Sequence, residues 1–345
     1  MPVPAHPSLE HLLTQALTRI QVSPEELEEA RRRRELIAAA LRKEFPGSRV
    51  YYNGSVAHGD ALTPLTDIDL GVVIAEAQDI HGPGKKGPKD LMERAAVAIR
   101  AALRGEYPKL TVQTEGCKRA VLVRFGDPVH AGEKDFTADV ICAIDNPDAA
   151  GLFIPKMPTW DRSHPEAHTA MVLRAIDDTQ VVYARDVRLL KHWNRRNGKP
   201  LCSWNVKALA LGCIQRPMSL LAGLAAWFRY AADELDKGET RDPAHVAEKP
   251  IKLNWPRAEV VTALRHAGKR LDEAIALEKA GYPLLAHDEL AKLFRDEEML
   301  PRPDQGAVAA EEARRIRESR RATGTVPSTG AGGQRSRIQV NSWAP

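Results

Sequence analysis

The chain has 345 residues, of which 43% are apolar, and a formal net charge of +4 at pH 7. That length suggests about two domains of ~150 residues each, with enough apolar material for real cores. So mild a charge does not by itself argue for a nucleic-acid partner, and no run approaches the ~18 apolar residues of a membrane span.

Residues 9–20 and 24–45 read as helices. Ser23 is an N-cap before PEEL, with Pro24 just inside and acids in the first turn. Arg31 to Arg34 form a basic run that spreads around a helix circumference and reads as a solvated face. Strand-like segments follow at 49–53 (RVYYN), 67–74 (DIDLGVVI), 109–115, 119–125 and 136–144 (FTADVICAI). Between the second and third lie the loop GPGKKGPKD and an alanine-rich helix that ends at Gly105. This is an α/β lobe with a small mixed sheet.

The segment 146–160, NPDAAGLFIPKMPTW, reads as irregular, a proline-punctuated hinge over a cleft. From Ser163 onward the chain is almost all helical, opening with a capping box between Ser163 and Glu166 around Pro165. Beyond about Pro301 apolar periodicity is lost, and the charged run AAEEARRIRESRR leads into a tail read as disordered. The expected organisation is an α/β lobe at 1–146, an all-helical second lobe at 147–300, a flexible tail at 301–345, and a catalytic cleft between the lobes. Cys117, Cys142, Cys202 and Cys213 show no CxxC spacing and read as reduced, mostly buried small hydrophobes. MPVPAHPSLEHLL shows no basic-then-apolar signal, so a cytoplasmic protein is expected.

The informative stretch is NGSVAHGDALTPLTDIDLGVVI. Residues i and i+2 of a strand share a face, so Asp67 and Asp69 project together while Ile68, Leu70, Val72 and Ile74 line the core side. Two adjacent carboxylates repel, and one takes up a proton unless a cation sits between them. Oxygen-only ligands suit Mg²⁺ or Mn²⁺. An exposed strand face with two solvated acids, and the DxD of a metal-dependent glycosyltransferase, are the alternatives. The turn at Gly54-Ser55 adds amides and a hydroxyl suited to phosphate. Asp139 interrupts the middle of FTADVICAI and is the third candidate ligand; Asp135, Asp145 and Asp148 sit at strand ends or turns. His58, His164 and His168 read as structural or surface residues, because no third ligand accompanies the i, i+4 pair.

Gly54, Ser55, Asp67, Asp69 and Asp139 together resemble the signature of the DNA polymerase beta-like nucleotidyltransferase superfamily. A narrower resemblance is to the cGAS/DncV-like nucleotidyltransferases, carried by the N-terminal helices, by Lys191 with Trp193, and by Ser203 with Trp204. The chain departs from that pattern at Asp60, where threonine is frequent, and at Trp204-Asn205. The resemblance implies two Mg²⁺ (or Mn²⁺) ions on Asp67, Asp69 and Asp139, and a triphosphate held by Gly54, Ser55, Lys191 and Ser203. ATP, GTP or other NTPs would become a cyclic di- or trinucleotide in antiphage signalling; no membrane partner is expected, and the mild charge gives no strong evidence for nucleic-acid binding. Regulatory proteins of a defence operon would act on the tail. Trp160 and the 146–160 segment are expected to line the acceptor pocket. Linear-product, tRNA-modifying or small-molecule transferases, and an inactive scaffold, are the rival readings.

Overall fold

Strands form where Val, Ile and Leu alternate with polar residues, as a half-buried pleated surface requires. β1 (Arg49–Asn53), β2 (Asp67–Val73), β3 (Thr111–Gln113), β4 (Val121–Arg124) and β5 (Thr137–Asp145) pair in the order β1-β2-β5-β4-β3. β2 and β5 run parallel and the other pairs antiparallel, so the sheet is mixed, as the sequence predicts. This computed structural model describes residues 6–322.

The segment expected to be an irregular hinge is instead a hairpin. β6 (Leu152–Lys156) pairs with the end of β5 and with β7 (Thr159–Ser163), making seven strands among the described residues. Pro155 is tolerated because β5 contacts β6 only through Phe153 and Leu152, leaving Pro155 beyond that ladder. The expected capping box at Ser163 is also absent. His164 caps the next helix, its Nδ1 accepting from Ala167 N at 3.3 Å, while Glu166 pairs with Arg49.

One face of the sheet is covered by α2 (Pro24–Glu44) and α4 (Lys89–Leu103), whose Ile37, Leu41, Ala95 and Ile99 pack on Ile68, Leu70, Val72, Val140 and Cys142. The capping box of α2 forms as read: Ser23 Oγ accepts from Glu26 N, and Glu26 Oε2 accepts from Ser23 N. The basic run on α2 is not simply solvated. Arg33 is 1% exposed, stacked over Phe125 and Phe136 at 4.4 Å and beside Tyr107, and ion-paired to Glu29 at 2.7 Å and Asp135 at 2.6 Å. An arginine can be buried this way because its planar cation is weakly hydrated and fits both carboxylates and ring faces.

The second lobe contains α5 (Pro165–Asp178), α6 (Val182–Arg196), α7 (Ser203–Cys213), α8 (Leu220–Lys237), α9 (Arg257–Lys279) and α10 (Pro283–Phe294). Its core centres on Trp193, Trp227 and Phe228, which meet edge to face. α1 (Leu9–Ile20) packs into this helical core rather than beside the sheet, and its Glu10 accepts from the first amides of α8, Leu220 N and Leu221 N. The tail expected to be flexible from 301 carries α11 (Gln305–Ala322) against α10, with Glu311 accepting from Leu285 N; the remainder lies outside the described residues. The described cysteines are free, and Cys142 alone among them is fully buried. No helix among the described residues is long and apolar enough to cross a membrane.

Removing Arg33 would leave Asp135 without its cation, leave Glu29 paired with the exposed Arg32, and open a void among three rings. Arg33→Ala is expected to cost about 3–5 kcal/mol in urea unfolding. Arg31→Ala, on the exposed face, is expected to change stability by no more than ~0.5 kcal/mol.

Candidate active site

β1 ends at Asn53, directly opposite Asp69 of β2 in the antiparallel register. Gly54 follows with φ +78, and a Cβ there would run into the Asp69 carboxylate. Only glycine allows both the backbone conformation and this approach. It opens the single turn α3 (Gly54–Ala57), which places Ser55 at the cleft and returns the chain through Gly59, at φ +65, to a fully buried Asp60.

Across β2, the parallel register sets Asp69 beside Asp139 of β5, and Asp67 beside Thr137. Partners in a parallel ladder face the same way. Asp67, Asp69 and Asp139 therefore share one face of the sheet, opposite the apolar face under α2 and α4. The rival acids are engaged elsewhere: Asp135 by Arg33 and Asp145 by Arg49 at 2.6 Å. Burial, then the charges of Asp67 and Asp139, push the Asp69 pKa up to about 7; burial and Asp67 also raise that of Asp139.

The opposite wall comes from the helical lobe: His168 of α5, Lys191 and Arg195 of α6, and Ser203, Trp204 and Lys207 of α7. The cleft between the walls has a volume of about 840 Å³. Lys191 and Ser203 thus lie across from the carboxylates, with Gly54 and Ser55 in the same cleft. Lys191 Nζ donates to Asp60 Oδ1 at 2.7 Å. Lys207 ion-pairs with Asp60 at 2.8 Å and donates to His58 Nδ1 at 2.8 Å. Lys207 escaped the sequence reading, although it lies four residues after Ser203 and so on the same helix face.

The histidines take structural partners. Burial and Lys207 push the His58 pKa down to about 3, leaving a neutral ring whose Nε2 meets Thr169 Oγ1 at 3.1 Å. His168 pairs with Asp242 at 2.6 Å and packs its ring on Trp204, which lines the cleft. Trp160, expected in the acceptor pocket, points the other way: it is 9% exposed in the sheet core, and its Nε1 donates to Lys86 O. The next residues, Asp161 and Arg162, do line the cleft, with Asp161 accepting from Arg119 at 2.7 Å.

Among the described residues no three His, Cys, Asp or Glu side chains converge closely enough to hold an ion as they stand. The donor set nevertheless fits a hard divalent cation. It is all oxygen, and the pKa values of Asp69 and Asp139 are raised first by burial and then by neighbouring carboxylate charge, both of which such an ion would offset.

No protein-family model matches the sequence, and no curated protein does. Solved structures do. CdnC of E. coli MS115-1, seen with ATP, is 17% identical at a TM-score of 0.59, covering 85% of this chain and 99% of its own. It is also seen in a complex with HORMA-deltaN. The CD-NTase CdnG of Bradyrhizobium diazoefficiens, in complex with GTP, is 17% identical at a TM-score of 0.59, covering 84% and 97%. DncV of Vibrio cholerae, with 3'-deoxy GTP, is 14% identical at a TM-score of 0.58, covering 80% and 91%. The chain has the fold these proteins share, with an α/β lobe and a helical lobe, and the resemblance read from the sequence is met at the level of the fold.

The shifted carboxylate gives a direct test. The folded pKa of Asp69, about 7, lies above the ~3.9 of an unfolded aspartate. Stability from this group is therefore fully present below about pH 4 and is lost as pH rises to about 7. Asp69→Asn cannot ionise, so without divalent metal it is expected to match the wild type at pH 4 and exceed it at pH 8 by on the order of 2–4 kcal/mol. Urea unfolding at both pH values measures this; a difference independent of pH would contradict the raised pKa.

Proposed function

We propose that the protein is a metal-dependent nucleotidyltransferase that joins nucleoside triphosphates into cyclic di- or trinucleotides. The observation that carries this reading is the pairing of two walls: Asp67 and Asp69 line the cleft, with Asp139 beside Asp69 on the same face of the sheet, and Lys191, Lys207 and Ser203 line it from the helical lobe. Carboxylates at one side and cations at the other match a metal-bound triphosphate, which needs both.

Asp67, Asp69 and Asp139 would hold Mg²⁺ or Mn²⁺, two ions in the resembled family. When bound, such ions lower the pKa of an attacking ribose hydroxyl and neutralise charge on the phosphates. Gly54 and Ser55 hold the β- and γ-phosphates from the sheet side, and Lys191, Lys207 and Ser203 from the helical side. The hydroxyl gives up its proton to solvent, and its oxygen bonds to the α-phosphorus as the bond to pyrophosphate breaks in line. The linear product turns over in the cleft, and a second displacement closes the ring. The fold neighbours seen with ATP, GTP and 3'-deoxy GTP support NTPs as the substrates. A role in antiphage signalling, in the cytoplasm, belongs to the same proposal. So do regulatory proteins acting on the C-terminal segment; the HORMA-deltaN complex of CdnC supports a regulatory partner of some kind. Residues 323–345 of that segment lie outside the described residues.

The test is incubation with all four labelled NTPs and Mg²⁺ or Mn²⁺, followed by phosphatase, chromatography and mass measurement. The wild type is expected to give a phosphatase-resistant product, and Asp67→Asn/Asp69→Asn and Asp139→Asn to lose at least ~10³-fold in rate. A phosphatase-sensitive product would replace cyclisation with linear synthesis. No metal-dependent NTP turnover, with or without added acceptors, would overturn the proposal.

A further inference from the structure

Asp60 is an anion inside the cationic wall of the cleft. It is fully buried, and its N–H donates to Ser55 O at 3.0 Å, closing the turn that carries Gly54 and Ser55. Lys191 Nζ donates to Asp60 Oδ1 at 2.7 Å and to Asp60 O at 2.8 Å. Lys207 Nζ lies 2.8 Å from Oδ2. Neither lysine ion-pairs with any other carboxylate among the described residues. The remaining contact of Lys207 is His58 Nδ1, which accepts a hydrogen bond and so carries no proton there. Burial would raise the Asp60 pKa, yet Lys207 and Lys191 outweigh it and hold the carboxyl at about 2.

Two ammonium groups against one carboxylate leave a surplus positive charge in a poorly hydrated place. A buried charge without a counter-ion is costly, so that place favours an incoming anion. Each ammonium has three N–H donors. Lys191 uses two on Asp60 and Lys207 gives one to His58, so both keep a donor, and both line the cleft.

We propose that Asp60 is a built-in counter-ion that fixes Lys191 and Lys207 as a paired clamp, leaving one net positive charge for the terminal phosphates of the nucleotide. The inference rests on the nucleotidyltransferase reading and adds two residues to it. Lys207 becomes a phosphate-binding residue, and Asp60 a positioning residue that acts through the two lysines. Without Asp60, both ammonium groups would lack a counter-ion. An anion would then bind more tightly, though to lysines no longer held in place.

The probe is inorganic tripolyphosphate in metal-free buffer, followed by calorimetry and thermal unfolding, with NTP turnover measured separately. Asp60→Asn is expected to lower Tm without the anion, to bind tripolyphosphate about tenfold more tightly than wild type, and to lose more than about tenfold in kcat. Lys191→Met added to Asp60→Asn returns the net charge to the single positive charge of the wild type and is expected to restore Tm while abolishing the tighter binding. Unchanged or weaker tripolyphosphate binding in Asp60→Asn overturns the inference, as does a double variant no more stable than the single one. Should Asp60→Asn fail to fold, a folded double variant supports the proposal and an unfolded one overturns it. The two readings fail separately. Wild type showing this tripolyphosphate pattern without NTP turnover sinks the reaction alone. NTP turnover with tripolyphosphate affinity indifferent to Asp60 sinks the counter-ion alone.

Discussion

Asp69 and Asp139 stand at the same level of two parallel strands, and the sheet gives neither of them a way to move apart. Their mutual repulsion, with Asp67 one pleat away, is the constraint around which the rest of the site is arranged. The opposite face of β2 and β5 is buried under α2 and α4, so a one-residue slip that relieved the acids would put them in the core. Apolar burial on one side thus holds like charges together on the other. The carboxylates stay close because the fold gains more from burying Ile68, Leu70, Val72 and Val140 than it loses to repulsion. Under the proposed function a divalent cation would relieve that repulsion.

The opposite wall answers the same problem with the signs reversed. Lys191 and Lys207 approach each other across two helices, and a single carboxylate, Asp60, lies between them. Because Asp60 is tied to Ser55 O, the lysine pair is fixed relative to the turn that begins at Gly54. Among the described residues no cation ion-pairs directly with Asp67, Asp69 or Asp139, whereas the two lysines of the basic wall share the carboxylate of Asp60 and leave positive charge over. A triphosphate with its metal is complementary to that asymmetry, since it brings cations to the first wall and anions to the second.

How much of this was legible in the sequence depended on whether the deciding physics was local. Period two put Asp67 and Asp69 on one face, and an acid in the middle of an apolar run singled out Asp139; both are properties of a few adjacent residues. The hairpin at 152–163 was hidden because Pro155 and Pro158 argue against strands unless one knows that β5 pairs with only the first part of β6. Trp160 was misplaced with it, since alternation along an unrecognised strand cannot be read. Arg33 looked like its neighbours in the basic run; its burial is set by Phe125, Phe136 and Asp135, about a hundred positions away. Lys207 sits in the apolar run NVKALALG, and what makes it polar-partnered is Asp60, again remote in sequence. Gly54 was read for its backbone, but the contact that demands glycine is with Asp69 on another strand.

A cleft built from two lobes works only if the lobes keep their distance, and here one side chain spans the junction. Arg49 of β1 makes paired hydrogen bonds to Asp145 at the end of β5 and to Glu166 at the start of α5. Those two carboxylates belong to the sheet and to the first helix of the second lobe. The fork geometry of a guanidinium suits such double bridging, which a lysine could not reproduce. Thr169 adds a second tie on the same helix, its hydroxyl reaching Tyr52 O and meeting His58, whose other nitrogen accepts a hydrogen bond from Lys207. The chain of contacts from β1 through α5 and His58 to Lys207 therefore runs from the scaffold into the lysine side of the cleft. The spacing between the carboxylate wall and the lysine wall is set by these polar bridges as well as by packing, so under the proposed function nucleotide binding and lobe position would be mechanically one problem.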